Sequence, residues 1–272
     1  MIPKIIHYTW FGRGEKSDLI KRCIESWKKF CPGYEIIEWN EDNFDVDAHD
    51  YSKLAYEKKY WAFVSDYARL KIIYENGGIY LDTDVELIKN VDFLLDNTFY
   101  CGCEQPNTVN TGVGFGAVKN ALVSQKMLEE YENVKFLQEN EELNLTNCPF
   151  YNTNALIKIG VVPNNTLQRT TYCTIYPVEY FSPKSYETGV INSTTNTVSI
   201  HHFSGSWEDA KSLNKKYNQH RIGNFWGHKI GSKIILIVDL IAVSRNKGIS
   251  GSVKGIFNQL IIFAKSKTTK IE

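Results

Sequence analysis

Apolar positions along this chain switch between two spacings, and the switches mark its elements. Ile2 to Trp10 (IPKIIHYTW) is short and β-rich, the pattern of a first strand, and Gly12 and Gly14 open a loop behind it. Ile20, Ile24 and Trp27 then recur at helical spacing, and Ser17 or Asp18 can cap a helix that runs to about Phe30. Pro32-Gly33 breaks that helix, and Tyr34 to Trp39 is a second strand. A strand–helix–strand opening is what a nucleotide-binding α/β half requires, with loops at the strand ends forming the site. Glu41 to Asp50 is an acidic connector in which His49 reads as a surface residue. Helical patterning resumes at Ser52 and continues to Asn76, with a break near Lys59-Tyr60.

Gly77-Gly78 stops this second helical region, and Ile79 to Leu81 is a short buried strand. Val91 to Leu95 predicts a short helix, Phe99 to Glu104 a strand, and Asn120 to Gln138 an amphipathic helix. Thr108 to Gly116 (TVNTGVGFG) fits either a glycine-rich loop that lets backbone approach a ligand or a glycine-bearing hairpin. It lacks the Gly-Lys-Ser/Thr ending of a P-loop. Residues 140–200 are polar, with strands expected at Thr174–Val178 and Val198–His201.

The chemistry concentrates in Ser65 to Glu86 (SDYARLKIIYENGGIYLDTDVE), a helix, a glycine break and a strand that delivers Asp82 and Asp84. Aspartates at i and i+2 of a strand point to one side. Carboxylates that close repel unless a cation sits between them, and a hard divalent ion such as Mn2+ or Mg2+ takes oxygen ligands. Asp66 and Arg69, one turn apart on the preceding helix, form a local ion pair or reach a ligand together. A second signal is His201-His202-Phe203-Ser204-Gly205-Ser206-Trp207, which follows an apolar strand. A neutral imidazole there can complete the coordination of a metal held by carboxylates, although a His-His pair also suits a packed strand end.

The Ser65–Glu86 stretch resembles the DxD sugar-binding region of glycosyltransferase family 32 and is similar to the large clostridial glucosylating toxins. The resemblance implies an α/β fold of GT-A type, Rossmann-like and nucleotide-sugar-binding, and a donor such as a UDP-hexose or GDP-mannose. It implies a metal-dependent, retaining hexosyl transfer to a glycan or lipid-linked acceptor in bacterial surface polysaccharide synthesis. By resemblance Asp66, Arg69, Asp82 and Asp84 are catalytic. Tyr8, Trp10, Tyr80, Ser206 and Trp207 join Asp66, Arg69 and Asp82 in holding the donor, although Tyr8 and Trp10 would also suit a packed core. Spacing similar to the metal-binding segment of retaining galactosyltransferases favours His202 as the ligand beside Asp82 and Asp84. Phe150 to Asn154 departs from the acceptor loop of relatives, so no acceptor residue is carried over.

Composition adds two things. A chain that is 43% hydrophobic and 13% aromatic buries a core, and its zero formal charge excludes a strongly basic nucleic-acid binder. Residues 210–272, however, hold twelve Lys/Arg against Asp239 and Glu272, a net of +10, which leaves −10 on residues 1–209. We therefore expect a catalytic domain over 1–209 and a basic, helical extension over 210–272. Ile234 to Val243 is too short to span a bilayer, so the extension is expected either to rest on an anionic membrane surface or to pack on the catalytic domain. Six cysteines without a CxxC pair, and a first strand starting just after Met1, suit a cytoplasmic protein, peripheral on the inner face of the plasma membrane. The competing class is a non-catalytic sugar-nucleotide-binding component of a polysaccharide assembly complex. A two-metal phosphohydrolase would need more His and Asp ligands than are found.

Overall fold

The computed structural model describes residues 1–205 and 210–246, which fall into two compact units. One comprises residues 1–184 and 191–205, the other 185–190 and 210–246.

The first unit is built on a seven-stranded mixed sheet flanked by helices, the α/β class that was expected. In chain order its elements are β1 Ile5–Thr9, α1 Asp18–Phe30, β2 Glu35–Trp39, α2 Asp50–Glu57, α3 Trp61–Asn76, β3 Gly78–Tyr80 and β4 Val85–Leu87. There follow β5 Phe99–Gln105, β6 Thr108–Ala117, α4 Leu122–Glu129, α5 Cys148–Lys158, β7 Gln168–Arg169, β8 Thr174–Tyr176, α6 Val178–Phe181 and β9 Ser199–His201. The sheet order is β2-β1-β3-β6-β5-β8-β7, while β4 and β9 pair separately. β1 is parallel to β2 and β3, and β6 runs antiparallel to both of its neighbours.

The opening half forms as its pattern dictates. Ser17 accepts from the Ile20 N–H and caps α1, whose Ile20, Cys23 and Trp27 are buried. The break between α2 and α3 falls at Lys59, which takes a positive φ of 63°. His49 is not a free surface residue: its Nδ1 accepts the Tyr51 N–H that starts α2, and its ring stacks 4.4 Å from Tyr67.

Two segments depart from the pattern reading. The helix expected over Asn120–Gln138 ends at Glu129, because Tyr131 and Phe136 turn inward to pack on Tyr51 at 5.2 and 5.5 Å. Residues 148–158, within the polar stretch for which only strands were expected further on, form α5. Pro149 starts it, and the buried face carries polar groups where a periodicity reading seeks apolar ones. Thr153 Oγ1 and Asn152 Oδ1 accept the Val109 and Thr111 N–H groups, which fastens α5 to β6. The glycine-rich stretch is strand β6, hairpin-paired with β5.

In the second unit the helical span Ala210–Asn246 is interrupted at Gly227 (φ 74°, ψ 168°) and folds back on itself. Lys215 pairs with Asp239 at 3.1 Å, and a Cβ on Gly231 would come within 2.9 Å of the Gly223 Cα. Thr188 lies against the same crossing, with its Oγ1 3.3 Å from His228 Nδ1. Among the described residues no helix is long and apolar enough to cross a membrane. The apolar patch at residues 260–264 and Lys254, Lys265, Lys267 and Lys270 lie outside the described residues.

α1 holds β4 in place by satisfying backbone groups that the ladder leaves over. His202 N–H bonds the Asp84 carbonyl and Ile88 N–H the Val198 carbonyl, so residues 85 and 87 face away from β9. The Trp27 indole N–H donates to the Val85 carbonyl at 2.7 Å, and Ser26 Oγ accepts the Leu87 N–H at 2.9 Å. Trp27→Phe keeps most of the apolar volume but strands a buried carbonyl, a loss of about 1–3 kcal/mol. A thermal midpoint several degrees lower by calorimetry is the expected result; an unchanged midpoint would show that water replaces the indole there.

Candidate active site

The site lies where β3 ends. Beyond Tyr80 the chain leaves the strand, and Val85 N–H bonds the Asp82 carbonyl in a turn. Asp82 and Asp84 are therefore brought together by a turn rather than by strand alternation, which corrects the sequence argument while keeping its outcome. Tyr80 hydroxyl, tied to Thr9 Oγ1 at 2.9 Å, reaches Asp82 Oδ1 at 3.0 Å.

Arg69 is the cation at the centre of the cluster. Its Nη2 lies 2.8 Å from Asp66 Oδ1 and 3.3 Å from Asp82 Oδ1, its Nε donates to the Ser65 carbonyl, and its Nη1 lies 3.8 Å from Cys148 Sγ. The guanidinium also sits over the Tyr80 ring at 5.1 Å. Asp66 and Arg69 are thus a local ion pair, and a buried one. Burial pushes Asp66 up to about 6, against the pull of Arg69. Burial raises Asp82 as well, again opposed by Arg69.

Asp84 behaves in the opposite way. Burial alone would raise it, but His201 and the Ser204 N–H hold it well below the usual carboxylate range. His201 Nε2 is 3.3 Å from Asp84 Oδ1, and Ser204 N–H donates to Oδ2 at 2.7 Å. That N–H is aimed by Phe203, a bulky residue at a φ of 55°, a strained backbone of the kind found where geometry is functional. Burial lowers the His201 basicity, but the surrounding carboxylates, Asp84 first and then Glu104 and Asp82, together shift the imidazole upward.

One ligand atom each from Asp82, Asp84 and His201 lie within 4.8 Å of one another, a spacing that a single divalent ion can bridge. Two carboxylates and an imidazole suit Mn2+ or Mg2+. The histidine is His201, whereas the sequence favoured His202. Ser199 and His201 share the face of β9 that meets Asp84, and His202 alternates to the other face. There its Nε2 binds Glu86 Oε2 at 2.7 Å.

Tyr8 and Trp10 lie apart from this cluster. Tyr8 packs edge-on against Trp27, and its hydroxyl donates to Glu38 Oε2 at 2.5 Å. Glu38 and Trp10 line a cavity of about 240 Å3 with Arg13, Gly14, Lys16, Asn40 and Glu41. Ser206 and Trp207 lie outside the described residues. Four residues that pattern reading did not single out also face the cluster: Glu104, Asn110, Gly112 and Cys148. A Cβ on Gly112 would sit 2.2 Å from Asp82 Oδ2 and 2.8 Å from Arg69 Nη1, so only glycine keeps this floor open. The recurrence of glycine at 112, 114 and 116, at strand spacing, was the available signal.

The fold and site define a class: an α/β domain with an acidic, metal-competent centre at its strand ends. Residues 17–100 match the family described as "Glycosyltransferase sugar-binding region containing DXD motif", in agreement with the resemblance to glycosyltransferase family 32. Over 156 residues the chain is 28% identical to "Uncharacterized glycosyltransferase L373" of Acanthamoeba polyphaga mimivirus, covering 54% of this chain and 61% of that protein. Over 120 residues it is 30% identical to "Inositol phosphoceramide mannosyltransferase 3" of Schizosaccharomyces pombe, covering 41% and 32%. The chain thus spans less than two thirds of either relative. Among solved structures it is similar to "PaToxG Glycosyltransferase" (TM-score 0.48, 21% identity, 58% of this chain and 70% of that one). A glycosyltransferase "involved in the glycosylation of the major capsid of PBCV-1" is also similar (TM-score 0.41, 13% identity, 75% of this chain and 95% of that one).

Removing Arg69 exposes the logic of the cluster. The folded-state pKa of Asp66, about 6, is above its unfolded value near 4, so the stability its neutral form contributes is present below about 4 and lost as pH rises through 6. Arg69→Ala raises that folded pKa further and leaves the buried Asp66 without its cation, while Asp82 keeps the Tyr80 hydroxyl. Urea unfolding should show a loss of about 3–5 kcal/mol at pH 8, shrinking at pH 5 where Asp66 takes up a proton. A loss equal at both pH values would mean that packing, not charge, is what Arg69 supplies.

Proposed function

We propose that the chain is a metal-dependent glycosyltransferase that moves a hexose from a nucleoside-diphosphate sugar to a glycan or lipid-linked acceptor. The observation that carries this reading is the convergence of Asp82, Asp84 and His201 next to the buried Asp66–Arg69 pair. Asp82, Asp84 and His201 would hold Mn2+ or Mg2+, which when bound supplies positive charge to a leaving diphosphate. Arg69 offers N–H donors toward the sugar and diphosphate, and Asp66 and Asp82 offer acceptors to sugar hydroxyls. Gly112 leaves room for the sugar on the β6 floor. The cavity at Trp10 and Glu38 lies at the end of the β1–β2 pair, the position that suits a nucleoside in a sheet of this type. Retention of anomeric configuration and a role in surface polysaccharide synthesis come with the family-32 reading. The name of the fission-yeast relative keeps GDP-mannose beside the UDP-hexoses as a donor.

The reading extends to a peripheral place on an anionic membrane. Lys229, Lys233, Leu236 and Leu240 fall at intervals of four, three and four residues, one stripe of a helix, and all four are exposed. Basic residues contribute about 1 kcal/mol each near an anionic leaflet, enough for reversible binding when joined to a strip of leucine.

Two experiments test this. Purified protein incubated with Mn2+ and a panel of UDP-hexoses and GDP-mannose should slowly hydrolyse its donor. Asp84→Asn should lower that turnover at least about 100-fold, since a charge that holds the metal is lost. Arg69→Lys should be nearly as damaging as Arg69→Ala, because an ammonium cannot reproduce a planar fork. Near wild-type turnover in Asp84→Asn would overturn the metal assignment. For the membrane, the full chain should sediment with anionic liposomes at low salt and release at high salt, and Lys229→Glu/Lys233→Glu should abolish sedimentation. Equal sedimentation of both proteins would dismiss this stripe as the contact.

A further inference from the structure

His201 has two nitrogens with different fates. Nε2 points at Asp84, whereas Nδ1 is buried without a hydrogen-bond partner. The carboxylate nearest to Nδ1 is Glu104, whose Oε1 lies 3.7 Å away. An imidazole that coordinates a metal through Nε2 must carry its proton on Nδ1, and metal-bound histidines usually pass that N–H to a carboxylate or carbonyl.

Glu104 is built into this position rather than merely near it. It lies in β5 where the register against β6 shifts between Cys103 and Gln105, and such irregularities re-aim side chains out of the ladder. Its side chain is 16% exposed. Asn110 Nδ2 donates to Glu104 Oε1 at 2.8 Å. Asn110 is fixed in turn, because its Oδ1 accepts from the Gly112 N–H at 2.7 Å and from the Cys148 thiol at 3.1 Å. Since Asn110 Nδ2 donates, the Glu104 oxygen it meets is an acceptor with a lone pair left for His201. On its other side the His201 ring meets Phe203 at 4.2 Å, so the imidazole is confined to one plane.

We propose that Glu104 is a positioning residue: it accepts the Nδ1 proton of His201 and so presents Nε2, unprotonated, to the ion between Asp82 and Asp84. This rests on the metal reading given above. Asn110 and Cys148 extend the support, linking Glu104 to Arg69 on the far side of the cluster through contacts of 2.8, 3.1 and 3.8 Å.

The test is Mn2+ titration of the full chain, with free Mn2+ read by electron paramagnetic resonance. Glu104→Leu should weaken affinity about 10–100-fold. Glu104→Gln should stay within a few-fold of wild type, because an amide oxygen accepts the same proton. Wild-type affinity in Glu104→Leu, or equal loss in both variants, overturns the proposal; equal loss would mean that charge matters and hydrogen-bond acceptance does not. A second measurement needs no variant. In Mg2+-loaded protein labelled with 15N-histidine, long-range proton–nitrogen spectra should find the His201 proton on Nδ1, and a proton on Nε2 would refute the assignment. If wild-type protein binds no Mn2+ at millimolar concentration, the metal reading itself fails, which is a different result from either outcome with Glu104.

Discussion

Three carboxylates crowd into a nearly dry space at the end of β3, and the unit tolerates them because a guanidinium, an imidazole and a backbone N–H are built in among them. Asp66 and Asp82 share one guanidinium, that of Arg69, while Asp84 leans on His201 and a backbone N–H. The division has an electrostatic consequence. The two acids that share a cation sit above the usual carboxylate range, and the acid with a partner of its own sits well below it. Neighbouring acids are thereby pushed apart in basicity, the arrangement by which one site keeps a permanent anion beside acids that take up protons more readily. Buried ion pairs of this kind seldom add stability compared with an apolar replacement. Their presence is better explained by a ligand that must be met by charge.

Much of this was legible in the chain. The helix–glycine–glycine–strand succession placed Asp66, Arg69, Tyr80, Asp82 and Asp84 near one another before any coordinates, because each element is short and the connections leave little freedom. α1, the break at Lys59 and the strand ahead of the acids follow from capping, glycine and periodicity alone. What could not be read was anything decided by long-range contact. His201 and His202 are equivalent to a pattern reader; only the pairing of β9 with β4 decides which of them faces Asp84. α5 escaped because Asn152 and Thr153 interrupt its buried face, and α4 stops short because Tyr131 and Phe136 gain more by packing on Tyr51 than by continuing a helix. Glu104 carries no local signal at all, since its orientation comes from a register shift.

The glycine-rich strand illustrates how two readings of one stretch can both hold. TVNTGVGFG is a hairpin strand by hydrogen bonding, yet at Gly112 it is bare and lies against Asp82 and Arg69. Close backbone approach, the property argued for a loop, is delivered by a strand that carries glycine at 112, 114 and 116. Gly112 falls between the paired stretches of β6 and is held instead through its N–H on Asn110 Oδ1 and its carbonyl, which accepts the Asp82 N–H.

The metal-competent centre does not belong to the main sheet. Asp82 and Asp84 leave it in a turn, and His201 arrives on β9, whose partner among the described residues is β4. The geometry that brings an imidazole from residue 201 to a carboxylate at residue 84 therefore rests on two three-residue strands. So small a sheet is marginal by itself. What steadies it is α1, whose Trp27 and Ser26 take up the backbone groups of Val85 and Leu87 that β9 cannot reach. A helix some sixty residues upstream thus has no atom in the site and still sets its dimensions. That coupling also explains why the DxD triplet is a weak signal alone and a strong one in context. The acids need a helix ahead of them to hold their turn, a glycine floor beneath them, and a strand from the far end of the unit to complete the ligand set.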